Sequence, residues 1–126
     1  MKSRETALRL KRFEADEKAR KANDLEQMIR EFENMATDLE RQIAAEEDRT
    51  GVRDPAHFSY STFAKSASQR RDNLRASVAE LREKLKAAQQ ERDEAAEELR
   101  RAGNGEFRPE PRGRRQAARA HGALMR

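Results

Sequence analysis

Few residues in this chain could do acid–base or metal chemistry. His57 and His121 stand isolated in sequence, cysteine is absent, and the 126 residues contain no Gly-Lys-Ser/Thr phosphate loop and no metal-ligand spacing. A catalytic or ligating imidazole needs partners at defined spacing. His57 has only Asp54 close by, a pairing that belongs to a turn. The expectation is no enzyme, no cofactor and no metal. A different group of residues is more informative: Phe58, Tyr60 and Phe63 hold three of the six aromatic side chains within one short stretch. Rigid aromatics gathered on a surface are the residues that anchor protein interfaces.

Long helices must position them. Ala22, Leu25, Ile29, Phe32, Ala36, Leu39 and Ile43 recur at alternating steps of three and four. The same spacing returns from Tyr60 through Ala64, Ala67, Leu74, Val78, Leu81, Leu85, Ala88 and Ala95 to Leu99, with Arg71 and Arg92 interrupting it. Such a seam, flanked by charge, is the mark of a coiled coil whose helices each need another helix to cover their stripe. Composition agrees: 41% of residues are charged, 35% hydrophobic and 5% aromatic, too little apolar mass for a thick globular core.

Ser3 reads as an N-cap, opening a first helix over about 4–49 that Gly51 stops. A turn follows over about 50–60, in which Asp54 before Pro55 reads as a cap for one short helical turn. The second helix spans about 61–102 and ends at Gly103-Asn104-Gly105. Acid–base pairs four apart, Glu14 with Lys18, Glu17 with Lys21, Glu26 with Arg30, Glu80 with Lys84 and Glu97 with Arg101, are expected to support the exposed faces.

The fold class is therefore all-α: a long antiparallel two-helix coiled-coil hairpin over residues 1–102, with a disordered basic tail over 103–126. One register pairs Ile43 with Ala64, Ala36 with Arg71, Phe32 with Leu74, Ile29 with Val78, Ala22 with Leu85, Lys18 with Ala88, Ala15 with Arg92, Lys11 with Ala95, and Leu8 with Leu99. Each long cation in the seam then meets an alanine, over which its stem can lie while its head reaches water or a partner. A parallel homodimer would stack Arg71 on Arg71, so a monomer is expected when the chain is free.

The tail holds six arginines against two glutamates, which accounts for the whole net charge of +4. Its Pro109, Pro111 and Gly113 fit disorder. Tail arginines and the streak of Arg70, Arg71, Arg75 and Arg82 could meet phosphate, but Asp72, Glu80 and Glu83 would repel it, so no nucleic-acid partner is expected. Neither a secretory signal nor an apolar run long enough to span a bilayer is present, and the expected location is the cytoplasm.

Four further residues are candidates for partner contact beside Phe58, Tyr60 and Phe63. Leu10 and Phe13 fall off the seam if Leu8, Lys11 and Ala15 lie on it; they form either a second patch or, as expected here, turn inward at a stutter in the heptads. Met28 and Met35 sit one heptad apart on the seam's flank, either widening the stripe or meeting changeable partners. For the aromatic group, Tyr60 in phase with the seam favours Phe58 and Tyr60 folding back to plug the coil over an outward anchor.

The turn segment Asp54-Pro55-Ala56-His57-Phe58-Ser59-Tyr60-Ser61-Thr62-Phe63-Ala64-Lys65, followed by Gln69-Arg70-Arg71-Asp72-Asn73-Leu74, resembles one branch of the flagellar export protein FliJ family. So do the opening Met1-Lys2-Ser3-Arg4-Glu5, Arg9-Leu10-Lys11-Arg12-Phe13, and Glu31-Phe32-Glu33-Asn34-Met35-Ala36. The resemblance covers about residues 1–101 and implies a component of the flagellar type III export apparatus at the base of the basal body. It implies a coiled coil shaped like a rotary-ATPase stalk that enters the export ATPase ring and promotes its activity, contacts the cytoplasmic domain of the export gate, and handles export chaperones. Membrane contact would be indirect, through the gate. Ser61 stands where this branch carries Pro, an expected loosening of the second helix's start. Outside the resemblance, a generic coiled-coil scaffold or a nucleic-acid-binding regulator using the tail are the alternatives.

Overall fold

The computed structural model describes residues 2–105; of the disordered tail expected at 103–126, Gly103 closes α2, Asn104 and Gly105 form a turn, and residues 106–126 lie outside the described residues. Two helices account for most of the described chain: α1 (Lys2–Thr50) and α2 (Thr62–Gly103), packed along their lengths as an antiparallel hairpin. With 49 residues in α1, the rod is about 70 Å long at roughly 1.5 Å per residue. Among the described residues no helix is long and apolar enough to cross a membrane.

α1 has no Gly or Pro to interrupt it and starts earlier than its sequence signals indicate. Ser3 lies inside the helix, because Lys2, Arg4 and Glu5 are helix formers and nothing there breaks the backbone. At the other end, Gly51 adopts φ +75, a left-handed conformation that glycine reaches without a Cβ clash. Its N–H still donates to the Glu47 carbonyl at 2.8 Å, closing the last turn of the helix.

The connection is two linked turns, with no helix between α1 and α2. His57 N–H donates to the Asp54 carbonyl at 2.9 Å, and Tyr60 N–H to the His57 carbonyl at 3.0 Å. Asp54 does accept a backbone bond at its carboxylate, from Ala56 N–H at 2.9 Å, but the chain turns again before a helical turn can form. Ser61 then caps α2: its Oγ accepts from Ala64 N–H at 3.1 Å. That bond satisfies one of the free N–H groups at the start of α2.

The seam follows the periodicity. Ala22, Ile29, Ala36, Leu39 and Ile43 of α1 are buried, as are Ala64, Ala67, Val78, Ala88 and Ala102 of α2. A cluster of buried apolar residues lies off-centre, near the turn. There Leu39, Ile43, Ala64 and Ala67 pack together, joined by Tyr60 and Leu74. Ile43 and Ala64 thus meet as the register requires.

Seam cations all end on carboxylates. Arg71 pairs with Glu40 and, at 3.0 Å, with Asp72; Arg92 reaches Asp93 at 3.0 Å, Lys11 reaches Glu98 at 2.9 Å, and Lys18 reaches Glu91 at 3.2 Å. Of the predicted pairs along α1, Lys18 and Lys21 instead turn across the hairpin to Glu91. Lys18 lies in the seam and Lys21 beside it, so the facing helix offers both a carboxylate within reach. On α2, Glu97 and Arg101 do pair along the helix, at 3.2 Å.

The cross-hairpin pairs carry a polarity. Toward the turn, α1 supplies acid and α2 base: Glu33 with Arg82, and Glu40 with Arg71 and Arg75. Toward the termini the signs reverse, with Lys11 and Lys18 of α1 against Glu98 and Glu91 of α2. Exposed pairs add little stability singly. Together they penalise parallel or slipped pairing, in which like charges would meet.

Candidate functional site

The turn end splits the aromatic group in two. Tyr60 turns inward, is half-buried against the Leu39–Ile43–Ala64–Ala67 cluster, and donates its hydroxyl to Glu47 Oε2 at 2.6 Å. That bond, helped by burial, pushes its phenol above the usual range. Phe58 does the opposite. It is 95% exposed and stacks only on its neighbour His57, with ring centroids 4.7 Å apart. Phe63, on the first turn of α2, is 53% exposed. Phe58 cannot plug the coil because the Asp54 and His57 turns aim it away from the seam, while Tyr60, one turn later, is already in phase with it.

His57 is fixed as part of this turn. Ser59 N–H donates to its Nδ1 at 3.0 Å, so Nδ1 is an acceptor and the ring carries its proton on Nε2. No group of three or more His, Asp or Glu able to hold a metal occurs among the described residues.

The charges at the end of α1 are paired within the chain. Glu46 takes Ser61 Oγ at 2.5 Å and the Arg49 guanidinium at 2.9 Å; Asp48 takes Arg53. The Arg49 bond, then the Ser61 bond, hold the Glu46 carboxyl at about 2, well below its ordinary 4.5. A carboxylate depressed on folding stabilises the fold fully above its unfolded value, and that contribution disappears as pH falls through the folded value. Glu46→Gln should therefore lower the thermal midpoint of the helical circular dichroism signal at neutral pH, and the gap from wild type should close between about pH 4.5 and about pH 2. A gap constant over that range would remove Glu46 from the stability of the turn.

The other candidates lie along the rod. Leu10 and Phe13 are exposed at 51% and 61%, which corrects the expected stutter: the seam continues in phase through half-buried Leu8, Lys11 and Ala15, and Lys11 is tied to Glu98. They form a separate apolar patch on α1 near the termini. Met28 and Met35 are also exposed. Met28 borders a shallow groove of about 550 Å³ with Leu25, Ala87 and Ala88, where small residues of α2 leave the flank hollow. The structure brings none of these together with the aromatic turn: Met28 lies about half a rod from it, and Leu10 and Phe13 lie near the opposite end. Sequence reasoning missed the links from Glu46 and Glu47 to Ser61 and Tyr60; the acidic doublet at the end of α1, opposite two hydroxyls, was the available signal.

What this surface can do is recognition. It offers rigid apolar rings at one end of a stiff rod, where an apolar socket could cover them. No family model, curated protein or solved structure matches the chain.

Proposed function

We propose that the chain is a stalk-like component of the flagellar type III protein export apparatus, acting in the cytoplasm at the base of the basal body. In this reading it promotes the activity of the export ATPase ring and links the ring to the cytoplasmic domain of the export gate and to export chaperones. The observation that carries the reading is the rod itself: a long antiparallel hairpin whose turn segment, the part least dictated by heptads, is the part resembling the FliJ family. Exposed Phe58 and Phe63 at that end supply a contact point, and a rod with one thin seam is suited to working against partners.

A stalk of this kind acts by differential binding, favouring the assembled ring over free subunits. The test is the ATPase rate of the flagellar export ATPase titrated with this protein. Stimulation is expected to be largest, several-fold, at ATPase concentrations where the ring is only partly assembled, and to fade once assembly is complete. An unchanged rate at every concentration would leave a coiled-coil scaffold as the better reading.

A further inference from the structure

The termini end of the hairpin carries a chemistry that the stalk reading does not use. Asn104 and Gly105 follow directly on the last turn of α2, both exposed. An asparagine side chain can reach the next residue's backbone nitrogen, and a following glycine leaves that nitrogen unshielded because it has no Cβ. We propose that Asn104–Gly105 is a spontaneous deamidation site, and that closure of the hairpin end by Arg4 controls its rate.

The reaction needs only water. The Gly105 backbone nitrogen attacks the Asn104 side-chain carbonyl carbon, forming an N–C bond as the nitrogen's proton leaves to solvent base. The bond from that carbon to the side-chain nitrogen breaks, and the nitrogen takes up a proton and departs as ammonia. Water then opens the resulting cyclic imide at either carbonyl, giving aspartate or isoaspartate. No electrons are transferred.

In the closed hairpin this path is blocked. Asn104 has φ −90 and ψ 8, which holds the Gly105 nitrogen in the helix-terminating turn. The Gly105 N–H is engaged, donating to the Ala102 carbonyl at 3.1 Å. That carbonyl is held a second time from across the hairpin, by Arg4 Nη2 at 3.2 Å. Ala102 itself is buried. Reaction therefore requires the last turn of α2 to open, and Arg4 ties that opening to separation of the two chain ends. Where opening and closing are fast, the chemical rate tracks the population of the open form.

The product would matter locally. A new carboxylate at position 104 sits at the negative end of the α2 dipole, an unfavourable place for it, and isoaspartate adds a backbone atom where the chain leaves the hairpin.

The experiment incubates the full chain at mildly alkaline pH and follows each asparagine by peptide mass spectrometry with isoaspartate detection. Asn23, Asn34 and Asn73 lie within helices and serve as internal references. Asn104 is expected to convert at least about tenfold faster than these three, and Arg4→Ala to raise its rate by about threefold or more while leaving theirs unchanged. Equal rates at all four asparagines would overturn the site; a fast Asn104 indifferent to Arg4→Ala would overturn the control by hairpin closure. Neither outcome depends on the export reading.

Discussion

Ile43→Ala is expected to cost about 2–4 kcal/mol, the range for removing a buried branched side chain whose neighbours relax only partly. Ile43 lies in the one cluster where several large groups meet, between Leu39, Ala64 and Ala67 with Tyr60 and Leu74 against it. Alanines facing it are already small and cannot move in to fill the space. For a rod with a single seam this loss is a large fraction of the total stability, so thermal melting of the helical signal should shift down by well over ten degrees. The comparison is Met35→Ala, on the exposed flank, where a change within about 0.5 kcal/mol is expected. Equal effects at the two positions would show that the cluster near the turn does not hold the hairpin together.

Replacing Phe58 and Phe63 together by alanine should do the reverse, sparing the fold and removing the contact. Both rings are exposed, so melting should stay within about 0.5 kcal/mol of wild type. On the proposed export reading, binding to the export ATPase or to the gate's cytoplasmic domain, followed by calorimetry, should weaken by about thirtyfold or more if the rings are anchors worth about 2 kcal/mol. Tyr60 is left in place because its ring and its bond to Glu47 belong to the seam; changing it would mix a folding loss with a binding loss. Undiminished affinity for both partners in the double variant would discard the turn as a docking point.

Much of the fold was legible because a heptad states which positions share a face, and glycine states where a helix must stop. The seam residues from Ala22 to Ile43, the break at Gly51 and the end of α2 at Gly103 follow from those two rules. What periodicity cannot give is the direction of a side chain within a turn, or the partner of a charge. Phe58 and Tyr60 are two residues apart, yet one points to solvent and the other into the seam, a difference set by the turn bonds at Asp54 and His57. Lys18 could have paired along α1 or across to α2; the crossing was decided by the position of Glu91. Leu10 and Phe13 misled for a related reason: bulky apolar residues invite an inward reading, while the phase of Leu8, Lys11 and Ala15 leaves them outside. The Ser61 cap was overlooked, although serine at a helix start is a cap by residue type.

The off-centre position of the apolar cluster near the turn has a mechanical consequence. A load that draws the two chain ends apart meets first the Arg4 contact to Ala102, then Lys11 with Glu98 and Lys18 with Glu91, each a small barrier that re-forms readily. Only after peeling past the middle of the rod does it reach the packing of Leu39, Ile43, Ala64 and Ala67. The hairpin should thus yield like a zip fastened hardest at its closed end, lengthening at low force over its first half and resisting over its last.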